Sequence, residues 1–139
     1  MREYTIPDNL AYMAQLYEQI KQDYAFDEHK VFLLGFSQGV AMAFRFASSG
    51  LIKPRGVIAC GGDLPPDTNE KLPTLEPYPV LVVHGTQDKT VVQEKSLECI
   101  EALTKHNFPV EKHFHDKGHE IPDDAVQIIG NWIEKQING

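Results

Sequence analysis

The sequence has few of the features that mark several large classes of protein. It holds only two cysteines, Cys60 and Cys99, which lack C-x-x-C spacing and stand among apolar residues. They predict core positions rather than a disulfide framework. No apolar run approaches the roughly 18 residues of a membrane-spanning helix, and the polar start of the sequence predicts no signal peptide. We therefore expect a cytoplasmic protein without stable membrane insertion.

Positive charge is also scarce. Thirteen Lys and Arg stand against twenty Asp and Glu among 139 residues, which gives a net charge of −7. A surface of this sign repels phosphate backbones, so nucleic acid is excluded as an expected partner. The hydrophobic fraction of 42% and the length instead predict one packed domain over residues 1–139.

Short apolar runs alternate with helical periodicity along the chain. The runs predict strands over 30–35, 55–60, 79–84 and 110–115. Helices are predicted over 9–24, 38–48, 93–106 (with Leu97, Ile100 and Leu103 inward) and a last segment whose Trp132 packs on the sheet. This order predicts an α/β fold with about four parallel strands flanked by helices. The irregular segment 61–78 is either a substrate-facing loop or a surface connection with one short helix.

The pentapeptide Gly35-Phe-Ser-Gln-Gly39 follows a predicted strand and opens a predicted helix. A G-x-S-x-G sequence in that context predicts a nucleophile elbow, a strained turn that lifts the Ser37 hydroxyl above the sheet edge. The flanking glycines would let neighbouring backbone approach closely. A serine that only caps the helix is the alternative. Because a serine hydroxyl is a weak nucleophile, the elbow requires a histidine base and an acid to orient it.

Asp88 and His119 have the right positions for these two roles. Each follows a predicted strand, so each projects from the sheet edge where α/β proteins place their sites. The order Ser, Asp, His is that of the α/β-hydrolases. Asp63 also follows a strand and precedes His119, so it is a rival acid.

Other histidines point to weaker alternatives. The cluster of His113, His115, Asp116 and His119 has the spacing H-x-H-D-x-x-H, which matches no common zinc motif, so no metal is expected. The two strand histidines are predicted to be solvated. His84 ends a buried strand and predicts a hydrogen-bonded core residue rather than a second base.

Three segments together resemble the phospholipase/carboxylesterase family of α/β-hydrolases, which includes acyl-protein thioesterases. They are residues 35–43, the stretch 84–88 (His-Gly-Thr-Gln-Asp) and the pair 118–119 (Gly-His). The resemblance implies that Ser37, Asp88 and His119 form a catalytic triad, that the Gln38 N–H binds the oxyanion, and that no cofactor is needed. It also implies a truncated or compact α/β-hydrolase, because full-length relatives begin with further strands and an H-G-x-G-type loop that supplies a second oxyanion donor.

The leading hypothesis is a serine carboxylesterase that hydrolyses a small-molecule ester or thioester through an acyl-enzyme on Ser37. The alternative is a catalytically weak or inactive binding domain; a metallohydrolase is a third possibility. Phe36 and Leu64 are predicted to line an apolar acyl pocket. In the absence of the family's third strand, residues 31–34 form an apolar sheet edge without proline or charge, which predicts a homo-oligomer.

Overall fold

The computed structural model describes residues 6–139, in which four strands alternate with helices. The strands are β1 (Phe32–Phe36), β2 (Gly56–Cys60), β3 (Val80–Gly85) and β4 (Val110–His115). The helices are α1 (Ile6–Asp23), α2 (Gln38–Ala47), α3 (Pro66–Lys71), α4 (Gln93–Lys105) and α5 (Asp123–Asn138), with 3₁₀ turns at Glu28–Lys30 and Leu72–Thr74. Each predicted strand and helix is present with its ends shifted by a few residues at most.

All four strands are parallel and lie in the order β1-β2-β3-β4. The strand that leads to Ser37 pairs with β2, with Gly35 opposite Ala59. Because the strands are parallel, the loops that follow β1, β3 and β4 meet at one edge of the sheet. The predicted α/β architecture is confirmed.

Side chains of the central strands alternate between two cores. Val80 and Val82 pack on the side of α2 and α4, and Leu81 and Val83 pack on the side of α5. Trp132 of α5 is buried and meets the ring of Phe32 edge-on at 5.9 Å, so its predicted packing on the sheet is confirmed. Cys60 and Cys99 are buried free thiols within these cores, also as predicted. None of the described helices is long and apolar enough to cross a membrane.

Two predictions about individual side chains are wrong. Leu97 was predicted to face inward but is 44% exposed, because α4 presents Ser96 and Cys99 to the core instead. His115 was predicted to be solvated but is buried. It lies opposite Gly85 in the sheet, and the turn after β4 folds back so that the Lys117 N–H donates to its Nδ1 at 3.2 Å.

The irregular segment between β2 and β3 is a packed connection with α3 and one 3₁₀ turn. Thr68 and Leu72 are buried, and Asp67 pairs with the Arg45 guanidinium of α2 at 2.9 Å. The hydrogen bond from Arg45 lowers the pKa of Asp67, which keeps this carboxylate charged. The structure therefore favours the second of the two alternatives, a surface connection with a short helix.

Candidate active site

Ser37 occupies the turn between β1 and α2 with φ 56° and ψ −119°. This positive φ is strained for a residue with a Cβ, as the elbow prediction requires. Its backbone N–H donates to the Cys60 carbonyl at 2.9 Å, which ties the turn to β2. The side chain makes no capping hydrogen bond to α2, so the helix-cap alternative is wrong.

Close backbone packing around the elbow depends on two glycines. A Cβ on Gly35 would overlap the carbonyl of Gly39, and a Cβ on Gly62 would lie 2.5 Å from the Ser37 carbonyl oxygen. A Cβ on Gly39 would meet no atom within 4 Å. The predicted close approach therefore holds for the first glycine of the pentapeptide and not for the second, and sequence reasoning missed Gly62.

Ser37, His119 and Asp88 form one hydrogen-bonded row. His119 Nε2 is 3.0 Å from Ser37 Oγ, and His119 Nδ1 is 2.7 Å from Asp88 Oδ2. The three residues follow β1, β4 and β3, so the sheet edge brings together groups from distant parts of the sequence. Asp63, the rival acid, is exposed, and the carboxylate that contacts His119 is that of Asp88.

The Asp88 carboxylate is buried but well supplied with donors. Oδ1 accepts from the N–H groups of Thr90 at 2.9 Å and Val91 at 2.8 Å, and Oδ2 faces His119. Burial on its own raises the pKa of Asp88, but the hydrogen bonds from Val91, His119 and Thr90 outweigh it, so this pKa lies below its ordinary value. An ionised Asp88 accepts the Nδ1–H of His119 and leaves the Nε2 lone pair directed at Ser37.

His84 lies beside this acid, a closeness that sequence reasoning missed. Its Nδ1 is 2.6 Å from Ser96 Oγ, its Nε2 is 2.7 Å from the Val91 carbonyl oxygen, and the same Nε2 is 3.4 Å from Asp88 Oδ2. The prediction of a hydrogen-bonded core residue is confirmed. The four-residue spacing between His84 and Asp88 across a tight turn was the available signal for their contact.

The remaining predicted site residues have different surroundings. The Phe36 ring lies against the His119 ring, with centroids 4.7 Å apart. Gln38 is the first residue of α2, where backbone N–H groups lack intrahelical partners. Leu64 is half-buried and packs against the core between the sheet and α2. The roles of these three residues in binding stay predictions.

The histidine cluster of β4 does not form a metal centre. Within residues 6–139 no three His, Cys, Asp or Glu side chains are arranged to hold a metal ion. His113 and His115 lie with ring centroids 6.3 Å apart, whereas His119 turns to Ser37 and Asp88. The two groups of side chains are thus separated by the turn after β4.

The fold is that of the α/β-hydrolases. Arabidopsis thaliana SOBER1 superposes with a TM-score of 0.78 at 20% identity, over 99% of this chain and 67% of that one. A Bacillus cereus carboxylesterase superposes with a TM-score of 0.74 at 17% identity, over 96% of this chain and 64% of that one. The chain therefore spans about two thirds of the length of these structures.

Residues 1–137 match the family model for Phospholipase/Carboxylesterase, and the chain belongs to that family. It is also 28% identical over 114 residues to “Probable carboxylesterase SOBER1-like” of Arabidopsis thaliana. That match covers 77% of this chain and 42% of the relative, so the chain spans less than half the length of this curated protein. The resemblance inferred from the three sequence segments is confirmed.

Proposed function

We propose that the protein is a serine carboxylesterase that hydrolyses small carboxylic esters or thioesters through an acyl-enzyme on Ser37. The observation that carries the proposal is the row of two hydrogen bonds, 3.0 Å from Ser37 to His119 and 2.7 Å from His119 to Asp88. Family membership and the likeness to a carboxylesterase structure support it.

In the first half of the reaction, His119 Nε2 takes the proton of Ser37 Oγ while this oxygen attacks the carbonyl carbon of the substrate. The tetrahedral intermediate carries its negative charge on the former carbonyl oxygen, near the N-terminus of α2. The Gln38 N–H is the donor proposed to stabilise it. His119 then gives its proton to the leaving alcohol or thiol, and the acyl group remains as an ester on Ser37.

In the second half, His119 Nε2 takes a proton from water as the water oxygen attacks the acyl-enzyme. The proton returns to Ser37 Oγ when the carboxylic acid leaves, so the resting enzyme is restored. Asp88 stays ionised throughout and stabilises the His119 imidazolium in both halves. The chemistry uses these side chains and one water, and it requires no cofactor.

The acyl group of the substrate is proposed to rest against Phe36. This ring is 37% exposed and borders His119, so it offers an apolar surface beside the reacting atoms. A series of nitrophenyl esters of rising acyl length tests this assignment. We expect a clear optimum that shifts in Phe36→Ala, and equal rates at all lengths would contradict it.

Hydrolysis of a short nitrophenyl ester tests the function itself. We expect turnover that is lost in Ser37→Ala, is kept in Ser49→Ala, just after the far end of α2, and is unaffected by a metal chelator. A folded wild-type protein without turnover would favour the alternative of a binding domain. Turnover that survives in Ser37→Ala and fails with the chelator would favour a metallohydrolase.

The proposed assembly is a homo-oligomer, most simply a two-fold dimer. Among the described strands, β1 lies at one edge of the sheet, where its outer N–H and C=O groups have no neighbouring strand. Leu34 on this strand is 51% exposed, and α1 buries none of its described residues. Pairing of two β1 edges across a two-fold axis would satisfy these groups and cover the apolar surface.

A further inference from the structure

We propose that His84 is a positioning residue of the active site, which holds the acid Asp88 in place through Val91. The inference rests on the proposed roles of Ser37, Asp88 and His119. His84 does not touch the reacting atoms; it acts through the loop between β3 and α4, which carries the acid.

The partners of the His84 ring determine its orientation. A backbone carbonyl only accepts, so the 2.7 Å contact with the Val91 oxygen places a proton on Nε2. The other nitrogen, Nδ1, is 2.6 Å from the Ser96 hydroxyl oxygen. Both nitrogens therefore have partners, and the ring is buried with 1% of the residue exposed. The ring is thus fixed in orientation, with a proton on Nε2.

Val91 connects this ring to the acid by its two backbone groups. Its carbonyl accepts from His84 Nε2, and its N–H donates to Asp88 Oδ1 at 2.8 Å. A shift of the Val91 peptide would therefore carry the Asp88 carboxylate with it. His84 belongs to β3 and is braced by Ser96 of α4, so the loop is held against two regular elements.

The Nε2–H of His84 also lies beside Oδ2, the Asp88 oxygen that contacts His119. His84 Nε2 is 3.4 Å from Asp88 Oδ2, and Oδ2 is 2.7 Å from His119 Nδ1. This N–H donates to the Val91 carbonyl, so it faces Oδ2 as a neighbour and not as a hydrogen-bond donor. His84 thus holds Oδ1 through Val91 and packs beside Oδ2.

A matched pair of variants, His84→Asn and His84→Gln, tests the proposal. The glutamine amide can reach the position of Nε2, whereas the shorter asparagine amide reaches only the position of Nδ1. The readouts are kcat and KM for a nitrophenyl ester and the downfield proton NMR resonance of the His119 Nδ1–H. We expect His84→Asn to lower kcat by up to about 100-fold with little change in KM, the size of a small misplacement of a catalytic group. The His119 resonance should weaken in parallel.

His84→Gln should restore most of the kcat and the resonance, and His29→Asn, at an exposed histidine, should match the wild type. Wild-type kcat and an unchanged resonance in His84→Asn would overturn the proposal. So would equal losses in both variants, since the ring would then only fill space. If His84→Asn does not fold, Ser96→Ala decides, because it frees the ring at Nδ1; an unchanged resonance there overturns the proposal, and a weakened one supports it.

The experiment distinguishes a failure of the positioning role from a failure of the proposed function. A wild-type protein without esterase turnover, in which His84→Asn still removes the His119 resonance, would support the positioning role and contradict the esterase. An active wild type with no response to His84→Asn would do the reverse.

Discussion

The region around β3 and the region around β1 and α1 differ sharply in how their side chains are partnered. At the end of β3, Asp88 and His84 are buried and each polar atom of their side chains has a nearby donor or acceptor. Around β1 and α1, Leu34, Leu16 and Ile20 are each at least 40% exposed. The proposed acid therefore stands among fully partnered side chains after the central strand β3, whereas the proposed nucleophile follows β1, an edge strand with an exposed apolar surface.

Ser37 follows the exposed edge strand β1 but is held by contacts outside that strand. Its backbone is tied to β2 by the hydrogen bond to Cys60, and Gly62 of the loop after β2 packs directly against its carbonyl. Contacts with β2 and the loop that follows it therefore hold Ser37 in place. Substitution of Asp88 should therefore change turnover, whereas substitution on the β1 edge should change association of the chains.

The largest expected effect is a loss of turnover on substitution of the buried residue Asp88. Asp88→Asn should lower kcat by up to about 10⁴-fold, because an asparagine cannot hold the required His119 tautomer or stabilise its charged form. Ester hydrolysis by the purified variant measures the loss. Asp63→Asn is the control and should remain close to the wild type; a collapse in that variant with normal turnover in Asp88→Asn would move the acid to Asp63.

The two glycines of the elbow should respond oppositely in stability. Gly35→Ala places a Cβ against the Gly39 carbonyl and should cost about 1–3 kcal/mol of the free energy of unfolding. Gly39→Ala meets free space in the first turn of α2 and should be neutral or stabilising by up to about 1 kcal/mol. Urea unfolding compares them, and equal losses would show that the packing at Gly35 does not decide stability.

A substitution on the exposed β1 edge should have a smaller effect. It should change the association of chains rather than their folding. Leu34→Lys places a charge on the β1 edge and should weaken the homo-oligomer, whereas Leu97→Lys, on an exposed face of α4, should leave it intact. Light scattering over a range of concentrations measures the change. A wild type that stays monomeric at tens of micromolar would contradict the proposed assembly.

The smallest response is expected from the two buried thiols. Burial raises the pKa of Cys60 to about 12, and burial together with the charge of Asp63 raises that of Cys99 to about 12. Both thiols therefore stay protonated and unreactive at neutral pH. A thiol reagent should label neither in the folded protein and both after denaturation; rapid labelling of the folded protein would show that the cores open readily.

The sequence predicted most of the architecture because buried parallel strands leave continuous apolar runs. It also predicted the row of Ser37, Asp88 and His119, because each residue follows a strand and the carboxyl ends of parallel strands share one edge. The G-x-S-x-G context indicated Ser37, and the order of the residues indicated its two partners.

What the sequence did not predict depends on contacts between distant segments. Helix α4 turns Ser96 inward, where Ser96 forms a hydrogen bond with His84 of β3. Helical periodicity alone favoured Leu97 as the inward residue. The burial of His115 depends on the turn after β4, which folds back on it. The need for Gly62 arises from the approach of the β2 loop to the elbow. Each is a tertiary contact without a local pattern.

Labelling with a fluorophosphonate, followed by intact-mass measurement and peptide mapping, tests the central claim most directly. The reagent forms a covalent bond only with an activated serine, so it reports on the Ser37, His119 and Asp88 row without a choice of substrate. We expect one equivalent on Ser37, slower labelling in His119→Ala and none in Ser37→Ala. A folded wild-type protein that remains unlabelled, or one labelled equally in Ser37→Ala, would contradict the account.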